Sequence, residues 1–314
     1  MDAGIIIQVV LLLAGFVFLI KGSDFFVDGA SSIAAILKIP TIIVGLTIVA
    51  FGTSAPEAAV SITSSLTGSN AMAVSNVIGS NLFNMLMVIG VAALLGDLLM
   101  ERSVLEKDLP FLVGITLLLT AFIVIGWNIS VVEGIILLAI LAAYVFYLIR
   151  SAGKSGATNY VEKPKLTTPK SILFIIVGLA GIILGGDMVV NSASSIAMAL
   201  GMSETLVGLT IVAIGTSLPE LVTSITALRK GENQLVIGNV VGSNIFNILF
   251  VLGASSAISQ IPLDSSMLID VLLMVGVTIL CFIFGKTQEK YDKKEGIILV
   301  ALFIAYMAFA IMRN

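Results

Sequence analysis

The chain has 314 residues, of which 58% are hydrophobic and 11% are charged, and its mean hydropathy is +1.15. An ordinary soluble domain carries roughly 25% charged residues, so this composition excludes a soluble globular protein and predicts an integral membrane protein. The formal net charge of −3 gives no sign of a nucleic-acid partner. Because there is no His and Cys281 is the single cysteine, His-ligated metal sites, His proton relays and an intramolecular disulfide are excluded.

Apolar runs near the roughly 20 residues that cross a bilayer recur along the chain. Asp2 and the absence of an early basic residue favour a first spanning helix over a cleaved signal peptide. A Gly-, Ser-, Thr- and Lys-rich stretch, 151–169, predicts a flexible linker between two units, 1–150 and 170–314, of one membrane domain. The ten predicted spans are 4–20, 41–65, 71–95, 109–126, 131–149, 170–186, 204–228, 234–258, 267–285 and 296–312.

The basic residues predict the orientation of these spans. If the N-terminus lies outside, every Lys and Arg except Arg313 falls in or beside an inner connection. Cytoplasmic connections carry an excess of Lys and Arg, so we expect a multi-pass protein of the cell membrane with both termini outside and 151–169 in the cytoplasm.

An internal duplication supports the same orientation. Residues 22–90 align, without a gap, with the segment 163 positions later, and "GSDFFVDGASSIA" matches "GGDMVVNSASSIA". Five spans per unit, an odd number, place the second copy upside down in the membrane, as an inverted repeat. The charges follow the inversion, because Lys38 corresponds to Gly201 whereas Thr67 corresponds to Lys230.

The repeated motifs "GTSAPE" and "GTSLPE" predict breaks in the second and seventh spans. Pro56 and Pro219 cannot donate a backbone hydrogen bond, and their rings crowd the carbonyl four residues earlier. Irregular backbone inside a membrane occurs only where it is buried in protein or lines a polar cavity. The glutamates that follow, Glu57 and Glu220, are costly in a membrane unless paired. We expect a transported cation to supply their countercharge.

Oxygen-bearing residues accompany both glutamates. Ala50, Thr53, Ser54 and Glu57 would share one face of a continuous helix, as would their copies Ala213, Thr216, Ser217 and Glu220. Neighbouring spans add Ser80 and Asn84, and Ser243 and Asn247. Hard oxygen donors of this kind suit Ca²⁺, Na⁺ or Mg²⁺.

Structural interpretations remain for several polar residues. A proline in a membrane helix is often only a kink, and Ser, Asn and Gly residues also serve close helix packing. We assign Asn81 and Asn244 to packing. Asp24 and Asp187 are interpreted as solvated or capping residues near helix ends at the membrane surface.

The four motifs "GTSAPE", "GTSLPE", "GSNLFN" and "GSNIFN" resemble the paired α-repeats of the cation/calcium exchanger superfamily, of the prokaryotic sodium/calcium exchanger type. The resemblance is close over about 40–95 and 203–258. It implies an all-α polytopic membrane protein with ten transmembrane helices in two inverted five-helix repeats, with discontinuous helices 2 and 7. It also implies a secondary active transporter, without enzymatic activity or a cofactor, that exports Ca²⁺ in exchange for Na⁺ by alternating access.

The resemblance further implies which residues hold each ion. Glu57 and Glu220 would bind Ca²⁺ with the backbone carbonyls of Thr53 and Thr216, and Asn84 and Asn247 would complete the central site. The implied Na⁺ ligands are Ala50, Thr53, Ser54, Glu57 and Ser80 towards one face, and Ala213, Thr216, Ser217, Glu220 and Ser243 towards the other.

Two features of the motifs indicate which ions are coupled to Ca²⁺ transport. The "GTS" triplets resemble those of sodium-coupled members, and Asn247 stands where potassium-dependent members have Asp. We therefore expect exchange of Na⁺ for Ca²⁺ that does not need K⁺. We also expect each cycle to move net charge, because the resemblance implies three Na⁺ for each Ca²⁺. The short linker predicts no regulatory domain, and a monomer in the bilayer is compatible with the sequence. The alternatives are an H⁺/Ca²⁺ antiporter using the same glutamates, a passive channel and an intramembrane enzyme.

Overall fold

The computed structural model describes residues 3–68, 70–154, 164–202, 207–263 and 265–313, and nearly all of them are helical. We number the long helices in chain order and divide the two broken ones into halves a and b. They are α1 Ala3–Leu37, α2a Thr41–Thr53, α2b Ala55–Leu66, α3 from Asn70–Phe83 through Ile89–Leu95, α4 Val104–Gly126, α5 Val131–Lys154, α6 Thr168–Ala199, α7a Gly208–Val212 with Ala213–Gly215, α7b Leu218–Arg229, α8 Asn233–Ile258, α9 Ser265–Gln288 and α10 Lys293–Arg313.

The described residues confirm an all-helical membrane architecture. Among them, 8 helices are long and apolar enough to cross a membrane, and there are 9 such spans when α2a and α2b, which are bent by 49° relative to each other, are counted as one. Residues 204–206 of the predicted span 204–228 lie outside the described residues. The count of ten spans therefore remains a prediction, although α7a and α7b have the same broken form as α2.

The first and sixth helices are much longer than the predicted spans 4–20 and 170–186, and those two boundaries are wrong. The apolar runs end early, but the helices continue because small residues bring α1 and α6 into close contact. A Cβ on Gly22 would lie 2.7 Å from the backbone nitrogen of Ile182, and one on Gly178 would lie 2.5 Å from that of Phe26. Only a residue without a side chain fits at such a crossing.

In the described ranges, four two-residue strands join the two halves beyond the helix ends. Strand β1 (Leu98–Leu99) pairs antiparallel with β4 (Lys290–Tyr291), and β2 (Asn128–Ile129) pairs antiparallel with β3 (Ile261–Pro262). Leu98 and Ile261 are separated by the repeat offset of 163, so the two small sheets correspond to each other. This reciprocal pairing is the arrangement that two inverted copies produce.

Helices α3 and α8 form the centre of the molecule. In their apolar stretches 78% and 94% of the residues are buried, against 11% in α1. The predicted linker, 151–169, overlaps described helices at both ends, because α5 continues to Lys154 and α6 begins at Thr168. Residues 155–163 of that linker lie outside the described residues.

Candidate ion-binding site

Each glutamate lies in the first turn of the second half of a broken helix. The helical path is interrupted at Ser54, with φ −85° and ψ 9°, and at Ser217, with φ −95° and ψ 5°. Pro56 then lies in the first turn of α2b, where its fixed φ suits a helix start and its missing N–H leaves no bond unmade. Glu57 follows at once, near the positive end of the new helix. The same sequence therefore ends one half-helix and places a carboxylate at the start of the next.

The two halves exchange hydrogen bonds across the site. Ser54 Oγ donates to Glu220 Oε1 at 2.9 Å, and Ser217 Oγ donates to Glu57 Oε1 at 3.1 Å. Both glutamates are 0% exposed, so these bonds form in the interior. Each carboxylate is thus held by its own half-helix and by the serine of the opposite repeat.

Further predicted oxygens surround this crossed pair. Ser80 Oγ donates to Glu57 Oε1 at 3.4 Å, and Thr53 Oγ1 lies 3.4 Å from Ser243 Oγ. Thr53 Oγ1 also lies 3.4 Å from the carbonyl oxygen of Ala50. Ala213 lies in the corresponding turn of α7a, immediately before its break. The structure therefore brings residues predicted from both repeats to one buried place.

Four asparagines join α3 and α8 beside the glutamates. Asn84 Nδ2 donates to Asn244 Oδ1 at 3.0 Å, and Asn247 Nδ2 donates to Asn81 Oδ1 at 3.1 Å. Asn81 and Asn244 also donate to each other's backbone carbonyl. Because Asn81 and Asn244 are engaged by protein groups, their position agrees with the packing role assigned from the sequence. Asn84 and Asn247 each begin a π-helical turn, a feature frequent at functional sites.

Among the described residues of the site, four buried carboxylate and amide oxygens have no protein partner. They are Glu57 Oε2, Glu220 Oε2, Asn84 Oδ1 and Asn247 Oδ1. Amide oxygens and ionised carboxylates only accept, so four such atoms left unpaired in the interior are costly unless a cation or a donor reaches them. Across the described residues, no Lys or Arg forms an ion pair with either glutamate.

The charge at the site is limited to two carboxylates. No group of three or more His, Cys, Asp or Glu side chains that could hold a metal ion occurs in the described part of the chain. A cation here would therefore be coordinated by two carboxylates and by neutral hydroxyl, amide and carbonyl oxygens, a donor set suited to hard cations.

The sequence interpretation misplaced two aspartates. Asp24 and Asp187 were expected near helix ends, but each lies well inside a long helix, α1 or α6. Asp187 is exposed, whereas Asp24 takes part in an ion-pair cluster with Lys21 and Lys230. The error follows from ending these helices where their apolar runs end.

Two asparagines of the site were missed. Asn76 Nδ2 donates to the carbonyl oxygen of Glu57 at 3.3 Å, and Asn239 Nδ2 donates to that of Glu220 at 3.3 Å. A signal was present, because Asn76 lies one turn before Ser80 in the repeated four-residue spacing that ends at Asn84.

Comparison with known proteins identifies the family of the chain. The family model described as sodium/calcium exchanger protein matches residues 7–150 and again 170–312. The chain is 32% identical to the sodium/calcium exchanger MaX1 of Methanosarcina acetivorans, over 96% of this chain and 98% of the relative. It is 33% identical to the inner membrane protein YrbG of Escherichia coli, over 95% of each chain.

A solved structure has the same fold. The sodium–calcium exchanger NCX_Mj, soaked with 2.5 mM Na⁺ and 10 mM Sr²⁺, superposes with a TM-score of 0.86 at 28% identity, covering 97% of this chain and 99% of that one. The family match, given twice and separated at the predicted linker, confirms two repeats and an ion transporter rather than an enzyme. The chain with the crossed glutamates is thus a multi-pass membrane antiporter that belongs to the sodium/calcium exchanger protein family.

Proposed function

We propose that this protein exports Ca²⁺ in exchange for Na⁺ and that Glu57 and Glu220 bind both ions in turn. The observation that carries the proposal is the buried crossed pair, in which each carboxylate has one oxygen hydrogen-bonded and one oxygen without a partner. One Ca²⁺ would balance two ionised carboxylates, and the carbonyls of Thr53 and Thr216 would add neutral ligands. Asn84 and Asn247 would complete the central site with their unpaired amide oxygens.

Na⁺ would replace Ca²⁺ on the same oxygens. One group of ligands would be Ala50, Thr53, Ser54, Glu57 and Ser80, and the other Ala213, Thr216, Ser217, Glu220 and Ser243. Ser54 and Ser217 each lie between the groups, because each belongs to one repeat and donates to the glutamate of the other. Shared ligands make binding of the two kinds of ion mutually exclusive, which is the requirement for exchange.

Exchange would move net charge and would not need K⁺. Three Na⁺ carry one more positive charge than one Ca²⁺, so a cycle with that ratio responds to the membrane potential. The neutral Asn247 leaves the centre with only two carboxylates, which supports exchange without a further monovalent cation.

Alternating access would come from movement of α1 and α6 against the other helices. These two helices pack closely on each other through glycines, so they are suited to moving as a unit. A cavity of about 500 Å³ lies where α1 and α6 meet α2a, α5 and α8, and its lining includes Phe26, Leu179, Phe51 and Phe246. Its lining is almost entirely apolar, so movement on this side breaks no hydrogen bond. The Ser23–Thr223 hydrogen bond and the Lys230–Asp28 ion pair, which join α1 to α7b, would have to break.

The orientation follows from the charges. We place both termini outside the cell and 151–169 in the cytoplasm, because Lys and Arg then lie inside almost without exception. The protein would act as a monomer in the bilayer, without a cofactor, a regulatory domain or a nucleic-acid partner.

Flux of isotopically labelled Ca²⁺ into proteoliposomes tests the proposed coupling. Four vesicle preparations are compared: loaded with Na⁺, loaded with K⁺, loaded with acidic buffer, and loaded with none of these. An ionophore sets the same membrane potential in all of them. Na⁺-loaded vesicles should take up Ca²⁺. An inside-positive potential should speed that uptake, because three Na⁺ leave for each Ca²⁺ that enters and one net positive charge therefore moves out of the vesicle. Uptake driven by protons alone would favour the H⁺/Ca²⁺ antiporter, and uptake without any counter-ion would favour a channel.

A further inference from the structure

Asn76 and Asn239 hold the starts of the two glutamate helices. Besides the glutamate carbonyls, Asn76 Nδ2 donates to Ser61 Oγ at 3.0 Å and Asn239 Nδ2 donates to Ser224 Oγ at 3.0 Å. Each amide therefore bonds two consecutive turns of α2b or α7b from the neighbouring helix, α3 or α8. The same pair of hydrogen bonds occurs in both repeats, at positions related by the repeat offset of 163, so it is a feature of the repeat itself.

These bonds fix the height of each glutamate along its neighbour. Asn76 lies one turn before Ser80 on α3, and the carbonyl of Glu57 lies one turn before Ser61 on α2b. With Asn76 on that carbonyl, Ser80 meets the Glu57 side chain at 3.4 Å. A shift of α2b along α3 would separate the carboxylate from Ser80 and from the unpaired oxygen of Asn84.

The acceptor oxygens of the two asparagines differ. Asn239 Oδ1 accepts a 2.9 Å hydrogen bond from Thr53 Oγ1, which belongs to the opposite repeat. The inverted repeat predicts the same bond from Thr216 to Asn76, but Thr216 Oγ1 is buried without a partner. Only one of two equivalent links between the halves is therefore made in this conformation.

We propose that Asn76 and Asn239 are positioning residues for cation exchange. Of these two asparagines, Asn239 alone also bonds the opposite repeat, through Thr53, in the conformation described. The proposal rests on the proposed function and adds two residues to it. Removing either amide should loosen one glutamate and weaken Ca²⁺ binding. Removing Asn239 should also release Thr53, so its effect should depend on whether Thr53 retains its hydroxyl.

Two double-mutant cycles test this coupling. The pair Thr53→Val and Asn239→Ala is compared with the symmetry-related pair Thr216→Val and Asn76→Ala, because valine keeps the threonine shape and its backbone carbonyl. The apparent KM for Ca²⁺ is measured in Na⁺-free Ca²⁺–Ca²⁺ exchange, which removes Na⁺ binding from the comparison. Ca²⁺-dependent thermal stabilisation gives the affinity of any variant that binds without transporting.

Either asparagine variant loses two hydrogen bonds to a glutamate helix, and its KM should rise about tenfold. The KM of the Thr53→Val/Asn239→Ala double variant should be about tenfold lower than the product of the two single effects predicts. For the Thr216→Val/Asn76→Ala double variant, the KM should agree with that product to within about twofold. The control Ser256→Ala removes a buried hydroxyl of α8 that bonds the carbonyl of Leu252 at 2.7 Å, and it should leave the KM unchanged.

The opposite results would overturn the proposal. These are a KM for Asn239→Ala within about twofold of wild type, or multiplicative effects in the Thr53 pair. If Asn239→Ala is not monodisperse in detergent, Thr53→Val and Thr216→Val alone decide the matter: a larger effect of Thr53→Val supports the coupling, and equal effects contradict it. Absence of Ca²⁺ exchange in the wild type would instead contradict the proposed function itself.

Discussion

Ser54 of the first repeat donates a 2.9 Å hydrogen bond to Glu220 of the second, and Ser217 returns a bond of 3.1 Å to Glu57. The candidate site is therefore built from both repeats rather than from either one alone. A change at either serine alters a carboxylate that lies about 160 positions away in the chain. Transport of an ion by one repeat alone is incompatible with this geometry.

The crossed serines should matter more for Na⁺ than for Ca²⁺. Ser54→Ala or Ser217→Ala removes a proposed Na⁺ ligand and one hydrogen bond to a carboxylate, while the glutamates and the threonine carbonyls remain. The Na⁺ concentration for half-maximal Ca²⁺ release should rise about tenfold in either variant, since hydrogen bonds to charged groups contribute about 1.5–3 kcal/mol. Concentration series of Na⁺ and Ca²⁺ in proteoliposomes measure both affinities.

Ser195→Ala is the matched control for the serine variants. Its hydroxyl bonds the carbonyl of Asn191 in its own helix, so Na⁺ dependence should stay at the wild-type value. Equal loss of Na⁺ and Ca²⁺ affinity in the crossed-serine variants would argue against separate Na⁺ ligands.

Close contact of α1 with α6 should tolerate no added side chain. A Cβ at Gly178 would lie 2.5 Å from the backbone nitrogen of Phe26 and 2.7 Å from the carbonyl oxygen of Gly22. Gly178→Ala should therefore destabilise the protein by about 1–3 kcal/mol, the usual cost of overpacking. Thermal unfolding in detergent measures the change.

Gly114→Ala in α4 provides the comparison, because its Cβ would meet nothing within 4 Å. There the better helix propensity of alanine should leave stability unchanged or raise it by up to about 1 kcal/mol. Equal midpoints for the two variants would show that α1 and α6 do not pack as described.

Lys230 should contribute more to stability than an exposed ion pair. Its ammonium lies 2.9 Å from Asp28 Oδ2 and 2.8 Å from the carbonyl oxygen of Asp24, so it ties the end of α7b to α1. The symmetry-related residue is Thr67, which cannot form this link. Lys230→Met should lower the thermal midpoint by about 2–4 °C, corresponding to about 1 kcal/mol.

Arg102→Met is the control for the lysine variant. Arg102 pairs with Glu289 at 3.3 Å, but the two side chains are 77% and 53% exposed, and such pairs contribute little. If Arg102→Met lowers the thermal midpoint as much as Lys230→Met does, the Lys230 ion pair contributes no more to stability than the exposed Arg102 pair.

The chemistry of the site could be predicted from the sequence better than its helix boundaries. Glu57 and Glu220 were identifiable because a charged residue after proline in an apolar run has few structural explanations, and the duplication repeats it. The helical extension of α1 beyond position 20 was not identifiable, because hydropathy falls at Lys21 while the helix continues. Its continuation depends on contacts between glycines such as Gly22 and Gly29 and residues of α6 that are far away in sequence.

The hydrogen bonds between the serine of one repeat and the glutamate of the other could not be predicted from the sequence either. The constant offset shows which residues correspond, but not whether Ser54 bonds the glutamate of its own repeat or of the other. Asn76 and Asn239 were missed for a related reason, since an asparagine that bonds a neighbouring backbone has the same local pattern as one that packs. Only the packed structure separates these roles.

The most direct test of the central claim is Ca²⁺ uptake driven by an outward Na⁺ gradient in Glu57→Gln and Glu220→Gln proteoliposomes. Glutamine keeps the shape of the side chain but removes the charge that would bind Ca²⁺, so each variant should lose uptake, while Glu106→Gln, at an exposed position, should retain it. Uptake near the wild-type rate in either buried variant would contradict the claim that the two crossed glutamates together carry the ion.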